Sequence, residues 1–509
     1  MGTMGARYVI PPRINTIRRK SMAAPGSENT DDIVSKNGRW RNWYGYSILL
    51  VMLFLSSCQT ADVKRSTPLA PVRAANANEA LLSVFLHLAK PASAGLWMEI
   101  DSVALVGENT VVPLDMEATP FAAGEILGGQ RFVARGPVAP GRYRALRLTV
   151  SKAALIRQSD KLFLAVPEPV VELPLAGDFR LDAGMSRSLF LAWDEEASVR
   201  NSAFFVPLMA VLSEQLPLLA DLAYVSCPDI DTVYLVRTDN NRVCGSLAIS
   251  GKPTYMTYDA IRKRLYVLAT ESGIIFSVDA ATSRIIDRIK IPMSGNPSYL
   301  LTNDGKWGYV LDEEGNSLLR MDLLQGTLDK RVRVGDKPRF LLWVPAREQL
   351  AISSGLSRTV YLLDPETLAI RSTILVGNGP DGLLATENHL YVAESASNTV
   401  GIYDLRTGQI STKLNVGFMP RRLAQSDNRV YVSNSLDNTV SLIASRQQTV
   451  VKDIRVGELP VEMVVSSRHK WVYVAEQATG KLAVIDQTAN RVVQHVELGT
   501  KPQHLLVVQ

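Results

Sequence analysis

The chain has 509 residues, of which 46% are hydrophobic, 21% charged and 7% aromatic. That composition excludes wholesale disorder, a collagen-like fibre and a polytopic membrane protein. The formal charge of +5 sits at the N-terminus: residues 1–57 hold eight Lys/Arg and three acids, leaving 47 of each sign from residue 58 onward. A neutral remainder gives no electrostatic ground for nucleic-acid binding.

Residues 45–55 (GYSILLVMLFL) form an apolar run preceded by Lys36, Arg39 and Arg41. The run falls short of the roughly 20 residues a bilayer-spanning helix needs, and its basic flank is that of a signal peptide. It ends in Leu55-Ser56-Ser57-Cys58, which resembles the bacterial lipobox. The resemblance implies that Cys58 is lipidated and that the chain sits in a bacterial cell envelope. Gln59, in place of the Asp that retains such proteins at the inner membrane, implies outer-membrane sorting. The alternative is a plain secretory signal with a chance cysteine. Residues 1–33 carry Glu28, Asp31 and Asp32 and lengthen the leader unusually, so we read them as an upstream extension from a mis-assigned start. Residues 58–80, poor in large apolar side chains, read as a tether between anchor and fold.

Residues 81–214 show short β-type runs separated by turn signals, among them LLSVFLHL, WMEIDSVALV, RYRALRLTV, VVELPL and RSLFLAW. The spacing predicts an antiparallel β-sandwich. The segments VAPGRYRALRLTV and SRSLFLAWDEEASV resemble a domain of unknown function recurrent in bacterial lipoproteins. Its usual acidic loop after the first strand is replaced here by Ala89-Lys90-Pro91-Ala92, which lacks the acid and weakens the case for a metal site that the resemblance would imply. Asp194-Glu195-Glu196 closes an apolar strand, but no loop of EF-hand spacing accompanies it, and it reads as a solvated strand end.

After a linker at 215–220, one pattern recurs to residue 509. The second residues of its most regular strand are Tyr224, Tyr266, Tyr309, Ala351, Tyr391, Tyr431 and Tyr473, spaced 40 to 43 residues apart. A period near 40 with strand-type content predicts propeller blades. A proline leads one strand of each repeat: Pro253, Pro297, Pro338, Pro380, Pro420, Pro460 and Pro502. The segments YVAESASNTVGIYD, YVSNSLDNTVSLI and YVAEQATGKLAVID resemble YVTN-type β-propeller repeats across essentially all of 221–509. The expected fold is all-β, a seven-bladed β-propeller preceded by an antiparallel sandwich. The repeat phase predicts that the last strand closes the ring inside the first blade, which removes free sheet edges.

Repetition decides how the polar residues are read. Asp279, Asp322, Asp364, Asp404 and Asp486 end the same strand of different blades, so they predict turn stabilisation rather than chemistry. Asn398-Thr399 and Asn438-Thr439 read alike. None of the five histidines has metal-ligand spacing, and no HExxH, GxSxG, Walker loop or GxGxxG occurs. No catalytic residue, metal or cofactor is therefore assigned. Cys227 and Cys244 fall on strands two places apart in one blade, beyond disulfide reach, and are expected as buried free thiols.

The two residues after each proline are expected at the mouth of the central channel, where one loop per blade converges. Tyr255, Tyr299, Arg339, Asp381, Arg421, Arg422, Glu462 and His504 are the candidate ligand-binding residues. Arginine there suits a carboxylate or phosphate. The competing expectation is that these side chains plug the channel with internal ion pairs. The sequence thus favours an envelope-anchored scaffold that binds a protein, a glycan or a small anionic ligand and touches the membrane only through its lipid. An extracytoplasmic propeller enzyme, lactonase-like or lyase-like, is the alternative, with Asp381, Glu462, His504 and the arginines as its acid/base and anion clamp.

Overall fold

The computed structural model describes residues 73–508 apart from 91–94, 118–119, 127, 158–159, 215–220 and 294. The leader, Cys58, the greater part of the tether and the 215–220 linker lie outside the described residues. Among those described, no helix is long and apolar enough to cross a membrane.

Twelve strands precede the repeats: β1 (Ala80–Leu88), β2 (Leu96–Gly107), β3 (Val111–Met116), β4 (Phe121–Ala122), β5 (Arg131–Val138), β6 (Gly141–Arg157), β7 (Asp160–Leu164), β8 (Val170–Leu181), β9 (Ser186–Trp193), β10 (Val199–Arg200), β11 (Phe204–Phe205) and β12 (Met209–Leu212). Ten of them form one sheet in the order β12-β9-β1-β5-β3-β2-β6-β7, with β4 added to β2 and β8 to β6. It curls into a half-barrel, so that Leu82, Val84 and Leu86 of β1 share a core with Met98 and Ile100 of β2 and Leu146 and Leu148 of β6. Pairing is antiparallel except between β1 and β9, which run parallel from Leu81↔Ser186 to Leu88↔Trp193. The odd-numbered side chains of β1 point the other way, as period two requires. Leu81 and Phe85 are buried there too, against Val225, Ile230 and Tyr234 of the repeats.

From residue 222 the chain builds seven four-stranded antiparallel sheets. Blades two to seven run Pro253–Lys290, 297–333, 338–375, 380–415, 420–455 and 460–497. Blade one takes three strands from 222–248 and its innermost from His504–Val508, which pairs with Leu222–Cys227 and closes the ring. The chain is a seven-bladed β-propeller with a half-barrel sheet before it.

The repeated tyrosines join neighbouring blades. Tyr224 of blade one donates to the Ala280 carbonyl of blade two at 3.2 Å, Tyr309 of blade three to Pro365 of blade four at 3.3 Å, and Tyr473 of blade seven to Asn241 of blade one at 2.5 Å. The turn aspartates accept backbone N–H bonds: Asp279 from Ala281 and Thr282, Asp322 from Leu324 and Gln325, Asp486 from Thr488 and Ala489. Asn398 and Asn438 adopt φ of 57° and receive the amides of Met419 and Leu459. Cys227 and Cys244 are free and buried, and burial pushes the Cys244 thiol up to about 12.

Candidate functional site

The innermost strands of blades two to seven start at their prolines, and that of blade one at His504, two residues after Pro502; the first residues reach the channel mouth. Hydroxyls of the preceding blade fix these starts: Ser353 donates to the Asp381 carbonyl, Ser395 to Pro420 and Ser435 to Pro460, each at 2.6 Å. In blades five and six the pairing lapses between Pro380 and Leu383 and between Pro420 and Leu423. Asp381, Arg421 and Arg422 sit in those lapses, free of ladder geometry.

Six of the eight residues expected at the mouth come together. Arg422, only 3% exposed, donates through Nη1 to Asp381 Oδ1 at 2.5 Å, through Nε to Glu462 Oε2 at 3.2 Å and through Nη2 to the Tyr255 hydroxyl at 2.7 Å. Its guanidinium lies 4.9 Å from the centroid of the Phe340 ring. Tyr255 packs on Tyr299 and on His504 at centroid distances of 4.3 and 4.8 Å, and Tyr299 on Phe340 at 4.9 Å. A single arginine of blade six therefore ties together blades two, four, five and seven across the channel. Phe340 joins this set although it was not among the expected binding residues.

The electrostatics follow from enclosure. Burial raises the Glu462 carboxyl, and Arg422 beside it opposes the shift. Burial and, secondarily, Arg422 lower His504 to about 3, so its 4.0 Å approach to Glu462 is not an ion pair near neutrality. Burial likewise raises the Tyr255 and Tyr299 hydroxyls, so both stay protonated near neutrality. A buried arginine flanked by two carboxylates is compensated, and its fork is occupied. The two remaining arginines face outward. Arg421 is half-buried with Nε 3.5 Å from Asp381, and Arg339 is exposed with Nε 3.7 Å from Glu313. Of the three arginines, these two present cationic groups to the mouth; Arg422 is spent on the blades.

Among the described residues no cluster of three or more His, Cys, Asp or Glu is placed to hold a metal ion. A separate groove of about 320 Å³ lies between the sheet domain and blades one and two. Its polar side chains are engaged elsewhere: Glu79 with Arg73, Asp231 with the Lys252 amide, Arg288 over the Phe276 ring.

No family model matches the chain, and no curated protein matches it either. Solved structures do. A functionally unknown protein from Desulfotomaculum acetoxidans DSM 771 aligns at TM-score 0.51 and 11% identity, over 57% of this chain and 99% of that one. A candidate 6-phosphogluconolactonase from Bacteroides fragilis NCTC 9343 aligns at 0.50 and 15%, over 58% and 100%. A dihydro-heme d1 dehydrogenase aligns at 0.46 and 13%; the match takes in 56% of this chain and 64% of that one, so this chain spans less than two thirds of that enzyme's length. Identities this low speak for the fold alone, and propellers host unrelated activities.

Proposed function

We propose that this chain is an envelope-anchored lipoprotein whose propeller is a binding scaffold, held to the membrane through Cys58 and engaging its ligand or partner at the channel mouth. The observation that carries the binding half is the closed network around Arg422. The strongest ionisable groups of the channel are spent on one another, which leaves the mouth-facing loops, with Arg339 and Arg421, as the surface that varies between equivalent blades. The anchoring half rests on the apolar run and lipobox-like ending of residues 45–58. Blade-by-blade variation on a constant frame suits recognition, because the fold does not dictate these residues.

Thermal melting in the presence of envelope glycans, small anionic metabolites and divalent metals tests the binding reading. A ligand at about 100 times its Kd adds about 2.7 kcal/mol. The reading expects a shift that Arg421→Ala or Arg339→Ala removes; a ligand whose shift survives both changes sits elsewhere. Cys58→Ala tests the anchor. It should abolish incorporation of labelled fatty acid and release the protein from the membrane fraction.

One observation favours the enzyme reading. Glu462 is a buried carboxyl raised by its surroundings, beside a neutral histidine whose Nδ1 has no partner in the structure, and such pairs serve acid–base chemistry. Turnover of a lactone panel that Glu462→Gln abolishes, with melting temperature retained, would replace the scaffold reading.

A further inference from the structure

The loop that follows the second strand of each blade reaches the mouth face, and its tip is the same position in every repeat. The tip amide bonds the carbonyl two residues before the proline that leads the same blade: Glu271 to Gly251 at 3.0 Å, Leu356 to Asp336 at 3.3 Å, Leu436 to Phe418 at 3.2 Å, Ala478 to Glu458 at 3.3 Å. Read around the ring, the tips are Asp229, Glu271 and Glu314 in blades one to three, then Leu356, Ala396, Leu436 and Ala478 in blades four to seven. The residue before each proline divides in a similar way. Lys501, Lys252, Asn296 and Lys337 lead blades one to four; Gly379, Met419 and Leu459 lead five to seven. Equivalent backbone positions thus present a charged arc and an apolar arc on one face.

The charged arc is partly self-paired, Asp229 with Lys501 at 3.9 Å and Glu271 with Lys252 at 3.5 Å, and beside the blade-three tip Glu313 pairs with Arg339 at 3.7 Å. The apolar arc has no such closure. Leu356, Phe418 and Leu436 are 68%, 59% and 66% exposed, on loops with no packing duty that would require large apolar side chains. Exposed large apolar side chains at equivalent positions on one face, with Phe418 and Leu436 joined by a backbone hydrogen bond, mark an interaction surface. Two carboxylates stand within the arc, Asp437 beside Leu436 and Glu458 beside Leu459, and neither forms an ion pair among the described residues.

We propose that the arc of Leu356, Phe418, Leu436 and Leu459 docks a protein segment that carries apolar anchor side chains next to lysine or arginine. The proposal rests on the reading of the mouth as a binding surface and names its partner class. Apolar anchors supply the affinity at such contacts, and complementary charge supplies orientation and rate. Asp437 and Glu458 favour a basic flank at the blade-six and blade-seven end of the arc, while Arg358, exposed two residues beyond Leu356 and without an ion pair among the described residues, leaves the blade-four end cationic.

The test pans random dodecapeptides displayed on phage against the full chain in detergent, then measures a labelled consensus peptide by fluorescence anisotropy. The enriched peptides should share large apolar residues flanked by Lys or Arg. Leu436→Ser and Phe418→Ser should each weaken binding about tenfold, the loss typical of a buried anchor. Asp437→Asn with Glu458→Gln should weaken it about threefold and flatten its salt dependence. Glu271→Gln, on the charged arc, should leave it unchanged. These side chains stand on surface loops, all exposed except the half-buried Glu458, so near-UV circular dichroism should match the parent throughout. A consensus without basic residues, or binding indifferent to the arc changes, overturns the proposal. So does flotation with phosphatidylglycerol vesicles that Leu436→Ser abolishes, or a dimer by light scattering that Leu436→Ser dissolves. Peptide binding lost instead in Glu271→Gln or Arg421→Ala overturns the arc but keeps the mouth as a binding face. No consensus peptide, combined with no thermal response to any small molecule, removes both.

Discussion

Arg135 of the half-barrel and Tyr234 of blade one are joined by a 2.7 Å hydrogen bond that crosses from one domain to the other at the seam of the ring. The same guanidinium donates to the carbonyls of Leu498 at 2.6 Å and Gly499 at 2.9 Å, in the segment that leads blade seven into the closing strand. Its Nε reaches Ser83 of β1 at 3.2 Å, and its plane stacks 4.5 Å from the Phe132 ring. Strand β5 grips both sides of the closure: Arg131 pairs with Glu497 of blade seven at 2.6 Å, and Gln130, just ahead of it, accepts the Val243 amide of blade one at 2.9 Å. Gly499, at φ 62°, passes where a Cβ would stand 2.3 Å from Phe132. The half-barrel is a clasp over the one place where the ring is held by pairing rather than by chain continuity.

Arg135→Met should therefore destabilise far from the channel. It leaves the Leu498 and Gly499 carbonyls without their donor, and the Tyr234 hydroxyl with Ser83 as its remaining partner, in a site where Arg135 is 2% exposed. Each orphaned buried group costs about 1–3 kcal/mol, and relaxation recovers some of it, so a net loss of about 2–4 kcal/mol is expected by urea denaturation. Hydrogen exchange should quicken first in His504–Val508. Uniform exchange across all blades would refute the clasp.

His504 gives a pH signature. Its folded value lies near 3, below the usual 6.5, so the unfolded chain binds a proton that the folded chain refuses. Stability from this group is full above pH 6.5 and falls as pH drops towards 3. Between pH 7 and 4.5 the wild type should lose about 2–3 kcal/mol more than His504→Gln, at 1.36 kcal/mol per unit. Parallel stability curves for the two proteins would show that the imidazole is open to solvent.

How much of this was legible in the sequence depends on whether a residue's role is local or set by distant partners. The blades could be read because most of them repeat the same solution: a tyrosine for the neighbour in six, an aspartate for the turn in five, and a proline ahead of the inner strand in all seven. The mouth residues followed from register alone. Who pairs with whom did not, since Arg422 finds Asp381, Glu462 and Tyr255 at separations of 41, 40 and 167 residues. The clasp was hidden for a different reason. Arg135 lies in an ordinary strand, and its only signal was that LLSVFLHL carries apolar residues at both parities, the mark of a strand buried on two faces.

Gly382→Ala tests the lapse in blade five that frees Asp381. A Cβ at this position would stand 2.2 Å from the Arg421 carbonyl oxygen, a backbone atom that cannot rotate away. Blades five and six must then separate locally, and the Asp381–Arg422 pair lengthens with them. The expected loss is about 2 kcal/mol or more, in the range of overpacked cores. Gly408→Ala, at φ 69° in a turn of the same blade where a Cβ would meet nothing nearer than 3.6 Å, serves as the comparison for backbone strain alone. Equal losses in the two variants would mean that crowding at Gly382 is absorbed.

Arg422 allows the sharpest separation of a plug from a binding site. Arg422→Met strands two carboxylates, Asp381 and Glu462, in an enclosed space, and removing one partner of a buried ionic group costs about 3–5 kcal/mol. Acid should soften that loss, because protonation relieves the stranded charges. If the arginine exists to hold blades, adding Asp381→Asn and Glu462→Gln to Arg422→Met should recover most of the stability, since neutral side chains no longer need compensation. Binding at the mouth should then survive in the triple variant, because Arg339 and Arg421 are untouched. If the triple variant regains its fold but loses every ligand, the buried trio belongs to the binding site, and the mouth loops are only its entrance.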